Sequence, residues 1–118
     1  MANSGKESIL MIDVKKLLAS RRRDDFYKSL NLSVRTTLNY RISIQSTFLT
    51  TILKEEYNVQ DLFSIVDLKV LADLYCKINL HPKNIKNHRA YSAAIMKYIR
   101  YLNNGQKLGK RIDFGKSR

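Results

Sequence analysis

A single proline, Pro82, and four glycines are the only strong helix breakers in a chain of 118 residues. Proline removes a backbone donor, and glycine costs roughly 1 kcal/mol against alanine inside a helix, so a chain poor in both is free to form long helices. Helical spacing accompanies that freedom: Leu68, Leu71, Tyr75 and Ile78 recur at three and four residues, as a stripe facing a core must. A helical domain of this size buries enough apolar surface to fold unaided. The expected fold class is all-α, a compact four- to five-helix bundle over residues 8–104. A disordered start, 1–7, is expected to precede it and a basic tail or linker, 105–118, to follow.

Between Ser8 and Leu30 the apolar positions Leu10, Val14, Leu17, Leu18, Phe26 and Leu30 suit one helix or two, crossed by the charged run Arg21 to Asp25. Ser33 offers a hydroxyl to the free amides of a helix start, and the periodicity after it predicts the longest helix, from about Val34 to Tyr57. At 100° per residue, Leu38, Phe48, Leu49 and Ile52 share its apolar arc, while Arg35, Asn39, Ser43, Ser46, Thr50 and Lys54 share a polar one. Arg41 and Gln45 fall inside the apolar arc and are expected at its edge. Asn58 to Asp61 reads as a turn, Asp67 as the cap of a helix over Leu68 to Ile78, and His81-Pro82 as its end. The turn is expected to continue to Asn84.

The last helix, about Ile85 to Asn103, sets Tyr91, Ile95, Tyr98, Ile99 and Leu102 on one side. Lys86, Arg89, Ala93, Lys97 and Arg100 fall within roughly 80° on the other, as a basic stripe. Asn104-Gly105 is the expected stop, and Leu108, Ile112 and Phe114 are the tail's apolar anchors.

Charge narrows the class of partner. Against 22 Lys and Arg stand 10 Asp and Glu, a formal net charge of +12 whose field attracts polyanions. The excess is concentrated: from Lys83 to Arg118 the chain carries ten basic residues against one acid, Asp113. A nucleic acid is the expected partner, with no membrane and no small-molecule substrate.

Catalytic and metal-binding patterns are missing from the sequence. Gly5-Lys6-Glu7-Ser8 lacks the upstream glycine and adjacent hydroxyl of a phosphate loop. His81 and His88 have no companion ligand cluster of the kind zinc requires. Asp24-Asp25 and Glu55-Glu56 are neighbours that diverge by ~100° on a helix and so do not converge on one reacting atom. Cys76, the sole cysteine, reads as a buried apolar filler. No cofactor or enzymatic activity is expected, and with no signal peptide or membrane span the expected compartment is the cytoplasm.

Ser33-Val34-Arg35-Thr36-Thr37-Leu38-Asn39-Tyr40, with Phe48 eight residues on, resembles the helix opening of core-binding domains of the tyrosine recombinase and phage integrase family. Phe26-Tyr27-Lys28-Ser29-Leu30 resembles that family's short first helix, and Asn87 to Asn103 its last, ending at Tyr101-Leu102-Asn103. The similarity covers about residues 14 to 104. It implies a SAM-like bundle forming one jaw of a clamp on double-stranded DNA, with two helices facing the major groove. It carries Arg35, Thr36 and Asn39 on the second helix, and Lys83, Lys86 and Arg89 at the start of the fourth, into the DNA-contact set. Lys97 and Arg100 join that set from the basic stripe alone. The family's catalytic domain would then lie downstream in a longer parent chain, or the chain binds DNA without cutting it. The alternative from another class is a protein-interaction adaptor of a DNA-associated system, such as a restriction type, docking through the tail and Tyr101. RNA binding ranks lower, because no aromatic platform for single-stranded bases is evident from the sequence.

Overall fold

The computed structural model describes residues 2–110, with side chains from 14 to 105. Among the described residues there are six α-helices and no strand. The helices are α1 (Ala2–Ser29), α2 (Val34–Ile44), α3 (Thr47–Tyr57), α4 (Leu68–Asn79), α5 (Pro82–Lys86) and α6 (Ala90–Lys110), with one 3₁₀ turn at Leu62–Ser64. The all-α small helical bundle expected from the scarcity of breakers is what forms, with one helix more than five. The segment between Ser8 and Leu30 belongs to one helix, α1, which begins at Ala2, inside the stretch 1–7 expected to be disordered. The apolar tail residues Leu108, Ile112 and Phe114, the Gly5–Ser8 side chains and the basic residues from Lys107 onward lie outside the described side chains.

α6 is the element around which the rest is arranged. It packs against α4 and α2, while α1 packs on the 3₁₀ turn and on α6. Phe26 of α1, Phe63 of the turn and Tyr98 of α6 are fully buried; Tyr98 meets both phenylalanines edge to face and the two phenylalanines are tilted at 49°, with centroids 5.1 to 5.7 Å apart. Leu71, Leu74 and Ile78 bring the buried stripe of α4 into the same core. Tyr98 donates its hydroxyl to the Ile65 carbonyl at 2.7 Å, which ties α6 to the extended exit of the turn. Arg22 donates to the Phe63 carbonyl from the α1 side.

Three sequence expectations give way to local chemistry. The helix expected over Val34 to Tyr57 breaks at Gln45-Ser46. There Ser46 takes an extended conformation, accepts from the Leu49 amide at 3.2 Å and donates to the Ser43 carbonyl at 2.8 Å. Serine competes for backbone partners in this way and favours caps over helix interiors. In one straight helix Ile44 and Leu49 would stand ~140° apart; the break lets both be fully buried. Leu38, placed in the apolar arc by the straight-helix walk, is consequently 49% exposed.

The helix expected over Ile85 to Asn103 is likewise two. Pro82 opens α5 at its first turn, where a missing N–H costs nothing, and His81 caps it by accepting from the Lys83 amide at 3.0 Å. The region to Asn84 is therefore helical and not turn. After Asn87, His88 (φ 58°) and Arg89 (φ 61°) are left-handed, and α6 starts at Ala90. At its far end α6 runs through Asn104-Gly105 to Lys110, so the expected stop does not operate.

Cys76 is exposed and not a core filler, because it stands on the side of α4 away from Leu71, Leu74 and Ile78. Arg41 and Gln45 are at the exposed edge as expected, and the Arg41 guanidinium lies 4.4 Å above the Tyr27 ring. No described helix is long and apolar enough to cross a membrane.

Candidate nucleic-acid interface

The geometry of the basic surface begins with a buried amide. Asn84 is fully buried, and its Oδ1 accepts from the amides of Tyr91 and Ser92, both at 3.1 Å. These belong to the first turn of α6, whose N–H groups have no partner within the helix. Nδ2 donates to Ser92 Oγ at 2.9 Å and to the Asn79 carbonyl at 3.3 Å. One side chain of α5 therefore holds the start of α6 against the end of α4. The left-handed Arg89 is secured by its own amide, which donates to the Asn84 carbonyl at 2.7 Å.

From that anchored start the outward face of α6 presents Lys97 and Arg100, opposite the buried Ile95 and Tyr98. Arg89 joins them from the turn, with Nη1 donating to the carbonyl of Asn79 at 3.0 Å and to its Oδ1 at 3.1 Å. These three cations line one groove of about 360 Å³ between α2, α4 and α6. Its walls include Tyr40 of α2, Tyr75 of α4 and Met96 of α6. Among the described residues no carboxylate lines it.

The remaining candidates are not on α6. Lys86 is exposed on α5, and Lys83 of α5 holds its ammonium 5.8 Å from the centroid of the Phe48 ring. Arg35, Thr36 and Asn39 are exposed on α2. Thr36 is engaged in the cap: its amide donates to Ser33 Oγ at 3.1 Å, and its hydroxyl accepts from the same oxygen at 2.9 Å. The single stripe expected along one helix is thus carried by two helices and the turn between them. Among the described residues none of the eight candidates is paired with a carboxylate.

A cation elsewhere shows the contrast. Lys77 of α4 bridges Glu56 at 2.7 Å and Asp73 at 3.5 Å, and the Tyr57 hydroxyl donates to Asp73 at 2.5 Å. The Glu56 hydrogen bond raises the Lys77 ammonium above its ordinary range, and the Tyr57 hydrogen bond lowers the Asp73 carboxyl. That lysine is occupied, whereas the cations of the groove have no acidic partner among the described residues. Among the described residues no three His, Cys, Asp or Glu side chains gather as a metal site would require. Tyr40, Tyr75, Asn79 and Met96 are groove residues that sequence reasoning did not select. Helical spacing marks Tyr75 only as a member of the α4 core stripe.

No protein-family profile, curated protein or solved structure matches the chain.

Proposed function

We propose that the chain is a DNA-binding domain whose binding surface is the outward face of α6 with Arg89, flanked by α2 and α5. The observation that carries the reading is the convergence of Arg89, Lys97 and Arg100 on one groove with no described carboxylate in it. Such cations displace counterions from a phosphate backbone, which supplies the sequence-independent part of DNA affinity. Arg35 and Asn39, exposed on α2, have the donors and acceptors that read base edges. The recombinase core-binding class is the form of this proposal that the α2 opening favours, with Ser33 and Thr36 forming the helix cap within the segment that carries the resemblance.

A second reading has its own observation. Val34, Leu38 and Ile42 lie four residues apart on α2 and are 86%, 49% and 58% exposed, an apolar row on a surface helix that suits a protein-interaction module. Backbone amide shifts during titration with a duplex of about two helical turns separate the two. DNA binding through the groove should move the amides of Arg89 to Arg100 and of Arg35 to Tyr40 in a saturable manner. Saturable shifts confined to other parts of the molecule would take the DNA site away from the groove, and no shift at low salt would remove the DNA reading and leave the adaptor.

A further inference from the structure

The groove contains more than a phosphate clamp requires. Phosphates call for cations and amides, yet the lining beside Arg89, Lys97 and Arg100 also includes Tyr40, Tyr75 and Met96, together with Asn79, Ser92 and Ala93. Both tyrosines are partly buried, and neither hydroxyl has a hydrogen-bond partner among the described residues. A volume of about 360 Å³ lies at the small end of ligand sites, enough for a ring and too small for a large cofactor. From Ala90, the first residue of α6, to Arg100 the helix rises roughly 15 Å at 1.5 Å per residue, a reach of a few nucleotides. Arg89 lines the groove while one guanidinium nitrogen, Nη1, donates to Asn79.

We propose that this groove receives one unstacked base of a bound DNA against Tyr40 and Tyr75, while Arg89, Lys97 and Arg100 hold the phosphates on either side. The inference rests on the DNA-binding reading and deepens it: the substrate is DNA with a base out of its stack, at a bulge, mismatch or end. A fully paired duplex offers phosphates to the cations, but its bases are stacked on both faces and leave the aromatic walls uncovered. Aromatic stacking is sequence-tolerant because every base has a π-face, so the preference is for a structure and not for a base. Charge selects the occupant, since an aromatic group carrying flanking negative charges matches a nucleotide.

The test compares three duplexes of equal length: fully paired, with a single 2-aminopurine bulge, and with an abasic bulge. The full chain should bind the 2-aminopurine bulge about tenfold more tightly than either of the others and quench its fluorescence. Tyr40→Leu/Tyr75→Leu, which removes both aromatic rings and keeps apolar side chains, should lose that preference and the quenching. The abasic comparison needs no variant and holds if the double variant folds poorly. Equal affinity for all three duplexes would overturn the base pocket and leave the DNA-binding reading intact. No binding to any would overturn both. Tighter binding of a Glu-Phe-Glu repeat peptide than of any duplex at equal charge concentration would make the groove a peptide site instead.

Discussion

Tyr27 and Tyr98 are both buried phenols, but they are satisfied differently. Tyr98 donates to the Ile65 carbonyl, whereas the Tyr27 hydroxyl is buried with no hydrogen-bond partner among the described residues. A buried polar group left unpaired costs roughly 1–3 kcal/mol, so Tyr27→Phe should leave stability unchanged or raise it by up to about 1 kcal/mol. Tyr98→Phe should lower it by about 1 kcal/mol, both read from urea midpoints. Burial pushes the Tyr27 hydroxyl from its ordinary 10.0 up to about 12, against the opposing pull of Arg41, and burial raises Tyr98 also. For a group whose folded-state pKa is raised, stability is fully present below the unfolded value and is lost as pH climbs toward the folded one. The protein should therefore lose stability between about pH 10 and 12. Tyr27→Phe should retain more of its stability across that window, as thermal melts on either side of the ordinary phenol pKa of about 10 would report.

The joints between helices decide where the cations end up. Asn84 is the joint between α5 and α6, and Asn84→Ala would strip two first-turn amides of α6 of their buried acceptor. A loss of roughly 2–3 kcal/mol in urea unfolding is expected, with duplex binding weakened in the fraction that remains folded. A loss below about 0.5 kcal/mol would mean that α6 is positioned by its apolar face alone. What could be read from the chain follows the same division. Asp67 and the Leu68 to Ile78 stripe fix α4 nearly to the residue, because cap and periodicity agree there. The breaks at Ser46 and at His88-Arg89 are invisible to a 100° walk, which presumes that a helix once begun continues. Lys97 and Arg100 were legible as site candidates because they share a face within one helix. Tyr40 and Tyr75 were not, since only the packing of α2 and α4 on α6 brings them to the same groove.

For the whole molecule, a charge of +12 matters through where it is left uncompensated. Lys77 is answered by Glu56 and Asp73, and Arg23 by Asp24, so those positive charges contribute little to an outward field. The groove cations have no such partners among the described residues, and the bundle sets them at the border of three helices. Their role in binding should be electrostatic, hence steeply salt-dependent and weakly dependent on DNA sequence. The most direct measurement is the affinity for a paired duplex across a salt series, for the chain and for Lys97→Ala/Arg100→Ala, with melting curves confirming that both are folded. If both side chains grip phosphates, the slope of log affinity against log salt should become shallower by about 1.8, since each phosphate neutralised by a cation accounts for about 0.9. Identical slopes and affinities for the two proteins would contradict the assignment of this surface to DNA.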